Sequence, residues 1–254
     1  MTRSEDRAGK ARSASGAPRG AAAGLHAPPP PPAPPPRTAA DDVLDRASTA
    51  RGVRVKICGV TRLEDALVAA RLGADAVGFN FWPRSKRFIP PATARAIVER
   101  LPHGVAAFGV FVDPSRDELL TAIAASGVGA VQLHGDEPPA LCLGLPVPVV
   151  KALRMRDGRD LAALASYEVR AFLLDAPSAG YGGSGATFDW SLAGAAAREL
   201  PVLLAGGLTP QNVADAVRTV RPLGVDVASG VESSPGVKDA RRVEEFIRRA
   251  KGER

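Results

Sequence analysis

The sequence has little of what stabilises secreted, metal-binding or membrane proteins. Its 2 cysteines, Cys58 and Cys142, cannot form a disulfide framework, so we expect a reduced, cytoplasmic protein. Its 3 histidines have no metal-ligand spacing, and no dinucleotide-binding fingerprint occurs, so we expect neither a metal nor another cofactor. No stretch approaches the ~20 apolar residues of a membrane span, and no secretion signal is visible.

Aromatic residues make up only 5% of the chain, whereas 45% of its residues are hydrophobic. The core must therefore be built from Ala, Val and Leu. The net charge of +6 is spread along the chain and forms no concentrated basic tract, which argues against a nucleic-acid partner. A small phosphorylated substrate agrees with this modest charge.

The first fifty residues differ in composition from all that follow. They are rich in Ala, Arg, Ser, Gly and Pro, and the runs Pro28–Pro32 and Pro34–Pro36 favour an extended polyproline helix that cannot pack a core. We expect residues 1–50 to be a disordered, dispensable tail and residues 51–254 to form one domain. A tether for a proline-binding module, a targeting peptide and upstream sequence from an early start codon are the alternatives, and the carboxylates in the segment count against a transit peptide.

From Val53 onward, short β-branched runs alternate with stretches of helical period, which is typical of βα units. Eight such units close a single (β/α)8 TIM barrel, an α/β fold that usually takes about 250 residues. A doubly wound open sheet is the alternative, but it would need fewer strands and a glycine-rich turn after the first. The predicted strands are Arg54–Cys58, Ala76–Phe81, Ala106–Phe111, Ala130–Leu133, Val147–Leu153, Ala171–Asp175, Pro201–Ala205 and Gly224–Ala228.

Helix-start signals precede several of the helical stretches. They are Thr61 ahead of Glu64, Ser115 after a proline, and Thr209 followed by a proline. The helices expected after the first, seventh and eighth strands are Leu63–Leu72, Thr209–Val220 and Asp239–Ala250.

Polar or reactive residues fall at the carboxyl end of strand after strand. Because this end of a (β/α)8 barrel carries the active site, the alignment indicates an enzyme. The residues are Cys58, Asn80, Asp113, His134, Lys151, Asp175, Gly206, Gly207, Ser229 and Gly230.

The alternation of side chains predicts which of them point into the barrel. Lys56 and Cys58 share one face of the first strand and the apolar Val55 and Ile57 the other, so we expect the polar pair inside. Asp226 lies on the eighth strand, which neighbours the first once the barrel closes. Because a lone buried charge is costly, we predict that Lys56 and Asp226 form an ion pair inside the barrel.

Glycine-rich turns follow the last three strands and favour phosphate binding. In the loop Ser178–Gly185, glycines such as Gly183 let backbone N–H groups converge on an oxyanion, and Ser184 can add a hydroxyl donor. Barrel enzymes commonly hold phosphate with the loops after strands seven and eight. The residues expected to do so are Gly206, Gly207, Ser229 and Gly230.

Taken in order, these segments resemble the phosphoribosylanthranilate isomerase family. The match covers Val53 to Lys251, and residues 1–50 have no counterpart in the family pattern. The segments that carry the resemblance are VKICG (Val55 to Gly59), PRSKRF (Pro83 to Phe88), VQLHG (Val131 to Gly135), YGGSG (Tyr181 to Gly185), AGGL (Ala205 to Leu208) and VDVASGVE (Val225 to Glu232).

The resemblance implies an isomerase of tryptophan biosynthesis that converts N-(5-phosphoribosyl)anthranilate into 1-(2-carboxyphenylamino)-1-deoxyribulose 5-phosphate by an Amadori rearrangement. It implies Cys58 as general base, Asp175 as general acid and Arg87 as the residue that holds the anthranilate carboxylate. We add Asp226 and His134 to the expected substrate site, although a structural hydrogen bond would explain His134 equally well. As partner we expect this small molecule, with no nucleic acid or membrane, and a chain that is a monomer or homodimer.

These residue types suit the reaction. Opening the furanose ring needs an acid beside the ring oxygen, and the next step needs a base over the hydrogen of carbon 2. Asp175 must stay protonated, which a water-poor barrel mouth favours. Cys58 must ionise against a reference pKa near 8.5, with help from Lys56 or from the protonated imine of the substrate.

Two other functions compete with this interpretation. The histidine-pathway aminoaldose isomerase performs the same rearrangement, but its first strand is expected to carry an aspartate where this chain has Cys58. A catalytically silent phosphate-binding scaffold would place the activity in the proline-rich segment. Cys142 is expected to be an inert core residue.

Overall fold

A computed structural model of the chain describes residues 37–47, 52–155, 160–175 and 190–253. Its strands are β1 (Arg54–Cys58), β2 (Ala76–Asn80), β3 (Ala106–Phe111), β4 (Ala130–Leu133), β5 (Val149–Arg154), β6 (Ala171–Asp175), β7 (Val202–Leu204) and β8 (Gly224–Val227). All eight run parallel in sequence order and form a closed barrel, with β8 hydrogen-bonded back to β1. The predicted (β/α)8 barrel is confirmed.

Helices connect successive strands around the barrel. A 3-10 helix, Pro139–Cys142, lies between β4 and β5, and a second, Ser229–Val231, follows β8. It leads into an antiparallel hairpin of β9 (Glu232–Ser234) and β10 (Val237–Lys238). None of the helices in the described ranges has the length and apolar character that crossing a membrane requires. The α-helices are α1 (Ala39–Leu44), α2 (Leu63–Arg71), α3 (Pro91–Val98), α4 (Arg116–Ser126), α5 (Asp160–Leu164), α6 (Trp190–Glu199), α7 (Val213–Val220) and α8 (Ala240–Lys251).

Buried apolar side chains form an outer layer between strands and helices and an inner layer inside the barrel. Val55 and Ile57 belong to the outer layer, while Lys56 and Cys58 point inward, as the alternation along β1 predicted. The inner layer is dominated by alanine, with Phe108 as its one aromatic member among the described residues. These small side chains leave room for charged groups inside the barrel, near the carboxyl ends of the strands.

Helix α1 contradicts the prediction that residues 1–50 are a dispensable tail. Ala40, Val43 and Leu44 are buried and belong to the inner layer of the barrel. A Cβ placed on Gly129, the residue before β4, would lie 3.8 Å from the Cβ of Ala40, so α1 covers the amino-terminal end of the barrel. The folded unit begins at Arg37, and the predicted boundary near residue 50 is wrong.

The composition of residues 1–50 did not predict α1, because this helix is short and follows closely after a proline-rich run. The signals of a helix are nevertheless present. Thr38 accepts a hydrogen bond from the backbone N–H of Asp41, whose carboxylate accepts from the N–H of Thr38, so the helix starts with a capping box. Residues 1–36, including both proline runs, lie outside the described part of the chain.

We expect Leu44→Ala to lower the free energy of unfolding by about 2–4 kcal/mol, since it removes a leucine buried among barrel side chains. The exposed Asp42 on the same helix provides a control, and Asp42→Asn should cost no more than about 1 kcal/mol. Urea unfolding followed by circular dichroism measures both. Equal stability of the two variants would mean that α1 does not stabilise the barrel.

Of the three predicted helix-start signals only Ser115 caps its helix, although α2 does begin at Leu63 as predicted. Helix α4 begins after Ser115, whose hydroxyl forms a capping box with Glu118. Thr61 does not cap α2, because its hydroxyl donates to the carbonyl of Gly236 in the β9–β10 turn at 2.7 Å. Helix α7 begins at Val213 rather than at residue 209, because the preceding residues form the turn that follows β7.

Candidate active site

A polar cavity opens at the carboxyl ends of the strands, as the sequence predicted. Eight of the predicted site residues line it, and they come from six of the eight strands or the loops after them. They are Cys58, Arg87, His134, Asp175, Asp226, Ser229 and the pair Gly206 and Gly207.

Cys58 ends β1 beside a buried ion pair. The ammonium of Lys56 donates to Asp226 Oδ1 at 2.8 Å, which confirms the predicted pair. The register of the closed barrel causes this contact, because it sets Lys56 opposite Asp226 on neighbouring strands. Gly78 on β2 leaves the space for these groups: a Cβ at this position would lie 2.9 Å from Cys58 Sγ and 3.0 Å from Lys56 Nζ.

The electrostatic environment of Cys58 opposes its ionisation. Burial raises the pKa of the Cys58 thiol above its usual value, and the Asp226 carboxylate raises it further. Lys56 lowers this pKa, but the combined effect of the surroundings is to raise it. Lys56 therefore favours ionisation of Cys58, as expected, but does not outweigh burial and Asp226. A thiolate needs additional positive charge in the cavity.

A chain of polar contacts crosses the barrel interior from this ion pair to Asp175. Lys56 Nζ donates to Gln132 Oε1 on β4 at 3.0 Å. Gln132 Nε2 lies 2.8 Å from His134 Nδ1, and His134 Nε2 lies 3.1 Å from Asp175 Oδ2. His134 therefore lines the cavity and also takes part in this chain of structural hydrogen bonds.

Arg87 reaches the cavity from the loop after β2. Its Nε and Nη2 donate to the two carboxylate oxygens of Glu232 at 2.8 and 2.7 Å, a bidentate pair that orients the guanidinium plane. Gly59, with φ of +72°, has no side chain to collide with Arg87, whose Cδ would lie 2.3 Å from a Cβ there. Because Glu232 uses the Nε and Nη2 edge, the Nη1 side is the one that can donate to another carboxylate.

Glu232 is itself held by a second cation. Lys238 Nζ donates to Glu232 Oε1 at 2.8 Å and also to the carbonyl of Cys58. Both side chains are buried, and the hairpin of β9 and β10 brings them together. The contacts of Glu232 therefore tie Arg87 to the end of β1.

The turns after β7 and β8 pack against each other. Gly206 and Gly207 have φ of +84° and +62°, a conformation that favours glycine. The side chain of Asn212 donates to the carbonyl of Gly207 at 2.9 Å and closes the turn. A Cβ on Gly230 would lie 2.0 Å from the carbonyl oxygen of Leu208, so only glycine permits this approach.

Some predicted residues are elsewhere or beyond what the structure describes. Gly183 and Ser184 belong to residues 176–189, outside the described residues. Lys151 points away from the cavity: Val150 and Ala152 on either side of it belong to the inner layer. Strand alternation therefore directs its ammonium outward.

Lys151 and Asp113 instead organise the loop after β4. Lys151 donates to Glu137 Oε2 at 2.7 Å and to the carbonyl of Gly135 at 2.8 Å. Asp113 accepts a hydrogen bond from the backbone N–H of Asp136 in the same loop. Both residues therefore support the segment that carries His134 without lining the cavity.

Three residues that shape the cavity are not among those predicted from the sequence: Gln132, Glu232 and Lys238. Gln132 had a readable signal, because it alternates with the outward Val131 and Leu133 and is the polar residue of the inward face of β4. Glu232 and Lys238 follow the last barrel strand, where alternation along the barrel gives no guide. Only the hairpin reveals that they reach Arg87 and Cys58.

The fold and cavity define a class: a (β/α)8-barrel protein with its polar site at the carboxyl ends of the strands, as in barrel enzymes. The family model described as N-(5'-phosphoribosyl)anthranilate (PRA) isomerase matches residues 55–249. The N-(5'-phosphoribosyl)anthranilate isomerase of Myxococcus xanthus is 52% identical over 204 residues, which are 78% of this chain and 96% of that protein. The chain belongs to the phosphoribosylanthranilate isomerase family.

Solved structures of this family align with the chain over nearly their whole length. The phosphoribosyl anthranilate isomerase of Thermotoga maritima aligns with a TM-score of 0.75 and 47% identity, covering 79% of this chain and 99% of that one. A phosphoribosyl anthranilate isomerase in complex with reduced 1-(o-carboxyphenylamino)-1-deoxyribulose 5-phosphate aligns with a TM-score of 0.72 and 44% identity, over 79% and 99% of the two chains.

Proposed function

We propose that this protein converts N-(5'-phosphoribosyl)anthranilate into 1-(o-carboxyphenylamino)-1-deoxyribulose 5-phosphate, a step of tryptophan biosynthesis. The observation that carries the proposal is its family membership over residues 55–249. The complex of a relative with the reduced form of this product supports the same substrate class. The cysteine at the end of β1 separates this function from the histidine-pathway isomerase, for which an aspartate is expected there.

Asp175 is proposed as the general acid. It donates its proton to the ring oxygen while the bond between that oxygen and carbon 1 breaks and the nitrogen lone pair forms a double bond to carbon 1, which leaves a protonated imine between carbon 1 and the anthranilate nitrogen. The position of Asp175 supports this role, because it ends β6, lines the cavity and is largely buried. Its contact with His134 fixes the orientation of the carboxyl group.

Cys58 is proposed as the general base. As a thiolate it removes the proton from carbon 2, whose electron pair forms the double bond between carbons 1 and 2 of an enolamine while the imine electrons return to nitrogen. The enolamine then gains a proton at carbon 1 and loses the proton of its carbon 2 hydroxyl to water, which gives the ketone. Since burial raises the pKa of Cys58, the positive charge of the protonated imine supplies what Lys56 does not. The base is therefore activated when the ring-opened substrate occupies the cavity.

The remaining residues anchor the two anionic ends of the substrate. Arg87 is proposed to hold the anthranilate carboxylate, with its guanidinium kept in plane by Glu232. Gly206, Gly207 and Ser229 line the cavity and are proposed to hold the phosphate with backbone N–H groups and a hydroxyl. Gly230 and the loop with Gly183 and Ser184 remain proposed parts of this phosphate site.

The proposal is tested with purified full-length protein and N-(5'-phosphoribosyl)anthranilate generated in situ. We expect its fluorescence to decay rapidly on addition of the protein, with the deoxyribulose phosphate as product by chromatography. Deletion of residues 1–36 should leave the rate unchanged, since the folded unit begins at Arg37. Decay no faster than the spontaneous breakdown of the substrate would reject the function.

A further inference from the structure

The polar chain across the barrel contains one group whose hydrogen-bonding role cannot vary. The ammonium of Lys56 only donates hydrogen bonds, so the atom of Gln132 that contacts it must be the carbonyl oxygen. The other end of the amide, Nε2, is then an NH2 group, which donates and cannot accept. The orientation of the Gln132 amide is thus set by the charge of Lys56.

This orientation decides the tautomer of His134. Gln132 Nε2 is 2.8 Å from His134 Nδ1, and because the amide nitrogen must donate, Nδ1 must accept and carries no hydrogen. The ring hydrogen then sits on Nε2, which is 3.1 Å from Asp175 Oδ2. The same contacts exclude an imidazolium, since both of its nitrogens would be donors. The contact with Asp175 is therefore a hydrogen bond from a neutral ring.

We propose that Gln132 is a positioning residue that holds His134 as the neutral Nε2–H tautomer and thereby places the acid proton of Asp175 on Oδ1. Because Oδ2 accepts from His134, a protonated Asp175 carries its hydrogen on the other oxygen. This inference rests on the proposed role of Asp175 for its catalytic consequence, while the tautomer itself is independent of any activity.

The chain also couples the two sides of the cavity. Lys56, which sets the Gln132 amide, lies beside Cys58 over Gly78 and pairs with Asp226. Burial lowers the pKa of Lys56, but Asp226 and Cys58 raise it by more, so the ammonium persists. One buried cation therefore adjoins the proposed base and, through Gln132 and His134, orients the proposed acid.

The variant Gln132→Glu reverses the direction of hydrogen-bond donation between residue 132 and His134, with little change in the size of the side chain. Its carboxylate accepts from Lys56 and can only accept from His134, so Nδ1 must become protonated. The ring then becomes either the Nδ1–H tautomer, which accepts from Asp175 Oδ2, or an imidazolium, which keeps Asp175 ionised. Both outcomes remove the proton from Oδ1, so we expect kcat to fall at least about tenfold with little change in KM.

The experiment is 15N NMR of the full chain with labelled histidine. The chain has 3 histidines, and the His134 signals are those that a His134→Asn variant lacks. We expect a pyrrole-type Nε2 and an unprotonated Nδ1 in the wild type, and a protonated Nδ1 in Gln132→Glu. The exposed His103 is the internal control and should keep its signals in all variants.

Gln132→Met keeps the size of the side chain and removes both hydrogen bonds without adding charge. It should give a mixture of His134 tautomers and an intermediate fall in kcat, which supports the proposal even if Gln132→Glu fails to fold. A wild type with protonated Nδ1, or a full kcat in Gln132→Met despite mixed tautomers, would overturn it. A wild type that shows the Nε2–H tautomer but does not consume the substrate would reject the proposed function and leave the tautomer assignment supported.

Discussion

Cys58→Ala is expected to lower kcat/KM by at least about 100-fold, the smallest usual contribution of a general base. The side chain is small and largely buried at the end of β1, so its removal leaves the barrel nearly unchanged while the proton acceptor is lost. Steady-state kinetics with substrate generated in situ measures the effect. Cys142→Ala is the matched control, because Cys142 is equally buried but lies in the 3-10 helix outside the cavity, and its rate should equal that of the wild type.

The pH profile of kcat/KM provides a second reading of the same variant. The thiolate fraction of the free protein grows as pH rises toward the pKa of Cys58, which burial raises. The value of kcat/KM should therefore rise with pH toward that pKa. Cys58→Ala should lose this rising limb together with the activity. Full activity in Cys58→Ala, or an unchanged limb, would reject the thiolate as the base.

Asp175→Asn is expected to lower kcat by about 100- to 10,000-fold, the range for a general acid. Asparagine has the size of aspartate, and its carbonyl oxygen can still accept from His134 Nε2, so the geometry of the chain is kept. What is lost is the proton that the ring oxygen needs. KM should change little, because Arg87 and the glycine turns hold the two ends of the substrate.

The His134 tautomer separates a chemical loss from a structural one in this variant. If Asp175→Asn folds as the wild type does, the Nε2–H signal of His134 persists while kcat falls. A large loss of kcat together with a changed tautomer would point to misplaced side chains rather than to a missing acid. Near wild-type kcat with an intact tautomer would mean that another group protonates the ring oxygen.

Much of the architecture follows from local pattern. The alternation of strand and helix signals determines the eight βα units, and alternation along each strand determines which side chains face inward. Once the barrel closes, β1 and β8 are neighbours and Lys56 lies opposite Asp226. The two pair because a buried charge without a partner is costly. The glycines after β7 and the cysteine at the end of β1 could be predicted as site residues for a similar reason. A predicted strand also fixes which residues lie at its carboxyl end.

Tertiary structure alone decided the rest. Helix α1 fills the lower end of the barrel because an open end exposes apolar side chains, a need that no local pattern in residues 37–47 expresses. The contacts of Glu232 with Arg87 join residues 145 positions apart, and the reach of Lys238 to the carbonyl of Cys58 spans 180. Such contacts depend on how loops fold over a closed barrel, and the sequence determines them only through the complete fold.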